Sequence, residues 1–186
     1  ELERVKAKRK WMIKVDIRNF YPSVRTDPLS EALTWVFNQC DTGDHTYLNL
    51  NPDALTLLAR LVTPEGGLSQ GYVLSPVLSN IYMLQADAII ANEARRLVGV
   101  RPVFDMTIWE TLFPGSTVRK LGESNKFVKY IRYSDDMYIL YDADIGPKPE
   151  VMQEMVRDTL AKYHLEVNMS KTRSIDSHNR QECMGV

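Results

Sequence analysis

The side chains with the clearest chemical potential are two adjacent carboxylates, Asp135 and Asp136. They lie within Tyr130-Ile131-Arg132-Tyr133-Ser134-Asp135-Asp136-Met137-Tyr138-Ile139-Leu140. Alone, such a pair reads equally well as a solvated turn, because Asp is a common turn residue that bonds its own backbone. A third carboxylate on a strand able to reach the turn separates the two readings, and Asp16 is placed to be that residue. Three acids gathered at one point repel unless a cation holds them. Hard divalent ions bound by a few carboxylates and substrate phosphates answer that need. Two of them, roughly 3.5–4 Å apart, can stabilise both the attacking and the leaving oxygen of a phosphoryl transfer.

The elements that position these acids are legible as alternations and stripes. Trp11, Ile13, Val15 and Ile17 point one way and Met12, Lys14 and Asp16 the other, which predicts a half-buried strand over 11–17 with Asp16 on its non-core face. By itself Asp16 also reads as a solvent-facing strand-end residue, and Lys14 as a solvated strand lysine. Pro22 stops the pairing. Asp27-Pro28 reads as an N-cap and first helical residue, followed by Leu29, Leu33, Val36 and Phe37 on a helix ending near Cys40. Asp53 reads as the cap of a short helix carrying Leu57, Leu58, Leu61 and Val62. A glycine-rich loop over 64–76 leads into a long helix over 77–97, with Val77, Ile81, Leu84 (or Gln85), Ala88 and Ile89 as its stripe. The loop does not match the phosphate-binding or dinucleotide fingerprints. The two runs flanking Ser134-Asp135 predict a β-hairpin. An amphipathic helix follows over 150–163, then a short strand over 165–167 and a turn carrying Lys171. Residues 99–126, rich in Pro, Gly and aromatics, form an excursion too long for a plain connection.

Composition sets bounds. A chain of 186 residues with 44% hydrophobic content suits one domain. Lys+Arg 23 against Asp+Glu 24 leaves a net charge of −1, which does not itself favour a nucleic-acid partner. Positive charge is local, however, with Arg4, Lys6, Lys8, Arg9 and Lys10 in the first ten residues. Cys40 and Cys183 have no metal-ligand spacing and read as reduced thiols of a cytoplasmic protein. No stretch is apolar and long enough to span a bilayer.

With these residues in view, the chain resembles the palm of a reverse transcriptase, nearest in style to the bacterial group II intron, retron and abortive-infection types. Asp16-Ile17-Arg18-Asn19-Phe20-Tyr21-Pro22-Ser23-Val24 resembles the first catalytic motif. Gln70-Gly71-Tyr72-Val73-Leu74-Ser75-Pro76-Val77-Leu78-Ser79-Asn80 resembles the family's Q-G-x-x-x-S-P-x-L-x-N. Tyr133-Ser134-Asp135-Asp136 matches Y-x-D-D, Lys171 falls in the fourth motif, and Cys183-Met184-Gly185-Val186 resembles the start of the primer grip. The motifs occur in the family's order over about residues 11–186.

The resemblance implies an α+β polymerase palm, a small antiparallel sheet packed on helices with a ferredoxin-like (RRM-like) core. Residues 1–10 would be a basic lead-in from a fingers region and 11–186 the palm, with 99–126 as an insertion. Partial fingers and an absent thumb would mark it as a palm-centred fragment of a larger protein, or as a chain from which segments are absent. The implied activity is RNA-directed DNA synthesis by two-metal transfer of dNTPs to a primer 3′-hydroxyl. Asp16, Asp135 and Asp136, with the Ile17 carbonyl, would hold two Mg²⁺ (or Mn²⁺), and Lys171 would be the general acid unless it is a surface lysine. Tyr21 would be the steric gate unless it is simply a packed aromatic, with Phe20 taking that role if the register slips. Gln70 and Gly71 would pack on the incoming nucleotide, and Tyr133 and Ser134 would lie near the primer terminus. Implied partners are an RNA template, a DNA primer and a cognate structured RNA, with no membrane. Two alternatives remain: an untemplated or DNA-templated polymerase of abortive-infection type, and a non-catalytic RNA-binding palm serving as scaffold.

Overall fold

The computed structural model describes residues 9–39, 50–100 and 126–176. Residues 1–8 of the basic lead-in, Cys40, most of the 99–126 segment and the 183–186 motif lie outside the described residues.

Strand β1 (Lys10–Asp16) leads through a one-turn helix α1 (Phe20–Ser23) into α2 (Thr26–Gln39), α3 (Pro52–Val62) and α4 (Ser75–Val98). The hairpin β2 (Val128–Tyr133) and β3 (Asp136–Asp142) follows, then helix α5 (Pro149–Lys162) and strand β4 (Arg173–Asp176). The strands form one antiparallel sheet in the order β2-β3-β1-β4. This is the β-α-β-β-α-β arrangement of a ferredoxin-like core, with β1 and β3 central. The α+β palm architecture expected from the sequence is therefore the one observed.

Register explains which side chains meet the helices. Trp11 lies opposite Tyr141, Ile13 opposite Ile139 and Val15 opposite Met137. Side chains alternate across a strand, so these residues share one face, and Ile13, Val15, Met137, Ile139 and Tyr141 join the helices' buried residues in a single core. On the other face lie Met12, Lys14 and Asp16 of β1, with Leu140, Tyr138 and Asp136 of β3. That face is not uniformly solvated. Met12, Tyr138 and Asp16 are all buried, which removes the alternative reading of Asp16 as a solvent-facing strand-end residue.

Several helix boundaries and stripes differ from the sequence expectation. Helix α2 begins at Thr26, so Asp27 sits in its first turn rather than capping it. The cap of α3 is Asn51, whose Oδ1 accepts the Asp53 N–H at 2.9 Å, with Pro52 as first helical residue. Leu55 and Ala59 form the buried face of α3, while Leu57 and Leu61 are exposed. Helix α4 starts at Ser75 and buries Leu78, Tyr82, Met83, Ala86, Ile90, Ala94 and Val98, leaving Val77 and Ile89 exposed. Its buried stripe is displaced about one residue from the expected one, taking in Tyr82, Ala86 and Ala94 beside Leu78, Met83, Ile90 and Val98. In α5, Met152, Val156 and Leu160 are buried and Val151 is exposed. The 165–167 segment makes only the isolated bridge Val167–Ile17; the pairing strand is the polar β4.

Candidate active site

The end of β1 and the apex of the β2–β3 hairpin meet at one point. Asp16 is the direct cross-strand partner of Asp136, and Tyr133 flanks Asp136 from β2. The Ile17 N–H donates to the Asp135 carbonyl at 3.0 Å, so the backbone just beyond β1 is tied to the acidic turn. Ser134 closes that turn at φ 54°, a left-handed conformation that non-glycine residues seldom adopt.

Like charges directly opposite each other destabilise a sheet, and here each has a cation. Lys14 Nζ lies 2.9 Å from Asp136 Oδ1 and 3.0 Å from Oδ2. This bonding raises the Lys14 pKa above that of an ordinary lysine. Lys171 Nζ lies 3.2 Å from Asp16 Oδ2, although its side chain is otherwise largely exposed. The turn presenting Lys171 is itself anchored, because the Asn168 N–H donates to the Asp16 carbonyl at 2.8 Å and the Lys171 N–H to Asn168. Lys14 is therefore a member of the site and not a solvated strand lysine.

Tyr21 and Phe20 have different environments. Phe20 is buried in the core at 4% exposure, so it is not available as a gate. Tyr21 is half-buried, and its hydroxyl lies 3.2 Å from Ser134 Oγ, beside the acids. The glycine-rich loop docks on this segment. The Leu68 N–H donates to the Tyr21 carbonyl at 3.1 Å. At Gly67 a Cβ would stand 2.2 Å from the Pro22 carbonyl oxygen, so only glycine permits the approach. Gln70 and Gly71 are exposed beyond that contact, and among the described residues no hydrogen bond ties them to the acids. Tyr133 is 69% exposed at the hairpin's end. A cavity of about 730 Å³ between α2, α4 and the end of α5 is lined by none of Asp16, Asp135 and Asp136.

Among the described residues no three His, Cys, Asp or Glu side chains converge as a ready-made metal cage. The donor chemistry nevertheless fits hard divalent cations: Asp16 and Asp136 are oxygen donors set face to face, and each already attracts positive charge. Such ions complete their shells with water and substrate phosphates more than with protein groups.

A family model for reverse transcriptase (RNA-dependent DNA polymerase) matches residues 2–185. The chain belongs to the reverse transcriptase family. Two solved structures of telomerase from Candida tropicalis are similar in fold. The apo form truncated from its C-terminal domain has a TM-score of 0.51 at 16% identity, covering 95% of this chain and 32% of that one. The form in complex with a TWJ fragment of telomeric RNA has a TM-score of 0.53 at 16% identity, covering 95% of this chain and 27% of that one. The chain thus spans about a third or less of the structures it matches. No curated protein sequence matches it.

Beneath this turn lies a support whose centre, Arg132 with Asp87, the sequence alone does not specify. Arg132, on the helix-facing side of β2, grips Asp87 of α4 through Nε and NH2 at 2.9–3.0 Å. Its NH1 donates to Asn80 Oδ1 and to the Ser134 carbonyl, each at 3.0 Å. Tyr130 donates to Asp87 Oδ1 at 2.6 Å, and burial first, then Asp87, pushes its phenol pKa well up. The available signal was an acid, Asp87, seven positions after Asn80, which puts both on one side of a helix.

Proposed function

We propose that this domain is the palm of an RNA-directed DNA polymerase that transfers dNTPs to a primer 3′-hydroxyl. The observation that carries the reading is the placement of Asp16 directly opposite Asp136, with the Asp135 peptide bonded to Ile17. Asp16, Asp135 and Asp136, with the Ile17 carbonyl, would hold two Mg²⁺, for which Mn²⁺ would substitute. Bound there, the cations supply activation of the primer hydroxyl and neutralisation of charge on the triphosphate. The chain's own residues then have distinct tasks. Asp136 and Asp16 concentrate negative charge in one place. Lys14 and Lys171 balance it when no substrate is bound, and Lys171, on an exposed turn, is free to swing toward the leaving pyrophosphate as a proton donor. Tyr21 limits the space for a ribose 2′-hydroxyl. Gln70 and Gly71 flank the incoming nucleotide, and Tyr133 and Ser134 the primer end.

The two lysines also bear on the scaffold alternative. Carboxylates without a counter-charge only destabilise, but Asp16 and Asp136 are each paired with a lysine of this chain, so a non-catalytic RNA-binding palm could also carry them. Primer extension separates the readings. With RNA template, DNA primer, dNTPs and Mg²⁺, wild-type protein is expected to extend the primer and Asp135→Ala/Asp136→Ala to lose at least ~10³-fold. Equal product from both proteins would remove the acids from the mechanism. Product without template would favour the untemplated polymerase, and none from wild type the scaffold.

A further inference from the structure

We propose that Arg132 is a positioning residue that couples helix α4 to the acidic turn, so that the nucleotide-side loop and the acids move as one unit. Its guanidinium is withdrawn from water, with 8% of the side chain exposed. A buried ion pair is seldom retained for stability alone, since hydrophobic residues of similar shape serve as well or better. Stability would require only Asp87. The remaining arm, NH1, instead reaches the Ser134 carbonyl, the peptide immediately before Asp135, at the left-handed residue that shapes the turn.

The helix at the other end of this contact is the one that follows the Gln70-Gly71 loop. Ser75, its first residue, donates from Oγ to the Ser69 carbonyl at 2.7 Å, which closes the base of that loop. Asn80 and Asp87 stand further along α4 and both hold Arg132. Tyr130 holds Asp87 in place from the same strand as Arg132. A rigid path thus runs from the loop through α4 and the planar fork of Arg132 to the peptide before Asp135. Lysine, with a point charge and no fork, cannot make both ends of this connection.

The test replaces the pair by apolar residues of similar length, Asp87→Leu/Arg132→Met, in the full chain, so that no buried charge is left alone. Two readouts are taken: hydrogen exchange of the amides of Ile17 and residues 133–137, and primer extension. The variant is expected to melt within ~4 °C of wild type and to exchange faster at the turn. Its kcat is expected to fall ~100-fold with little change in the dNTP KM, as for acids displaced by about an ångström. A folded variant with wild-type exchange at the turn and wild-type kcat overturns the proposal. The kcat arm rests on the polymerase reading; if wild type makes no product, that reading fails by itself and turn exchange alone decides this one. If the double variant does not fold, Arg132→Lys keeps the charge beside Asp87 without the fork. Faster turn exchange in it supports the coupling, and unchanged exchange overturns it.

Discussion

Asp16 and Asp136 face each other as direct cross-strand partners, each with a lysine ammonium within 3.2 Å. Two carboxylates in that relation repel, so the lysines act as internal counter-ions of the folded chain. Under the proposed function the same two acids would bind substrate-borne cations.

Lys14→Met removes one of these counter-ions. It is expected to destabilise the metal-free protein by about 1 kcal/mol, or ~2–4 °C in melting temperature. Added Mg²⁺ is expected to restore more of the melting temperature in the variant than it adds to wild type. Thermal melts in EDTA and in Mg²⁺ check this, and identical Mg²⁺ responses would show that Lys14 is a bystander.

Tyr21 contributes a ring and a hydroxyl, and these are separable. Tyr21→Phe loses only the contact to Ser134 Oγ and is expected to keep discrimination against ribonucleotides. Tyr21→Ala is expected to raise relative rNTP incorporation by at least ~10-fold. Competition between rNTPs and dNTPs in primer extension measures both variants, and unchanged selectivity in Tyr21→Ala would end the gate assignment.

Gly67 and Gly71 are constrained for different reasons. A Cβ at Gly67 collides with the Pro22 backbone, whereas one at Gly71 meets nothing within 4 Å but sits at φ 92°. Gly67→Ala should therefore destabilise by ~3 kcal/mol or more, because backbone must move, and Gly71→Ala by only about 1–2 kcal/mol of backbone strain. Urea denaturation of the two variants checks the order, and equal losses would contradict the docking of the loop on Tyr21-Pro22.

The acidic turn, Asp16 and the order of motifs were readable because they depend on local alternation and on residue types in fixed sequence. The hairpin and β1 came through for the same reason. What was not readable depends on partners distant in sequence. Nothing in the period-2 pattern of β1 says that Met12 and Asp16 are buried on the second face, or that Lys14 reaches diagonally to Asp136. The stripe of α4 is displaced because Tyr82 and small residues are buried beside Leu78 and Ile90, and its polar Asp87 is explained by Tyr130 and Arg132 on β2. Strand β4, Arg-Ser-Ile-Asp, has almost no hydrophobic signal and pairs because β1 offers an edge.

Alkaline pH should unfold the chain through its buried phenols. Burial pushes Tyr82 up from 10.0 to about 12 and raises Tyr130, Tyr141 and Tyr163 as well. A raised folded-state pKa contributes stability that is complete below pH 10 and lost as pH climbs toward the folded value. Tyr82→Phe gives up the bond to the Tyr163 carbonyl, about 1 kcal/mol at neutral pH. Its stability should then fall less steeply between pH 10 and about 12, by up to ~1.4 kcal/mol per pH unit. Denaturant melts across that range test it, and parallel slopes for the two proteins would contradict the assignment.

The proposed function requires Asp16, Asp135 and Asp136 to hold the cations of a nucleotidyl transfer. Counting bound Mn²⁺ by electron paramagnetic resonance, with a dNTP present, tests it most directly. Two ions per chain in wild type, with at least one lost in Asp16→Asn and in Asp136→Asn, is the expected result. Wild-type stoichiometry and affinity in both variants would contradict it.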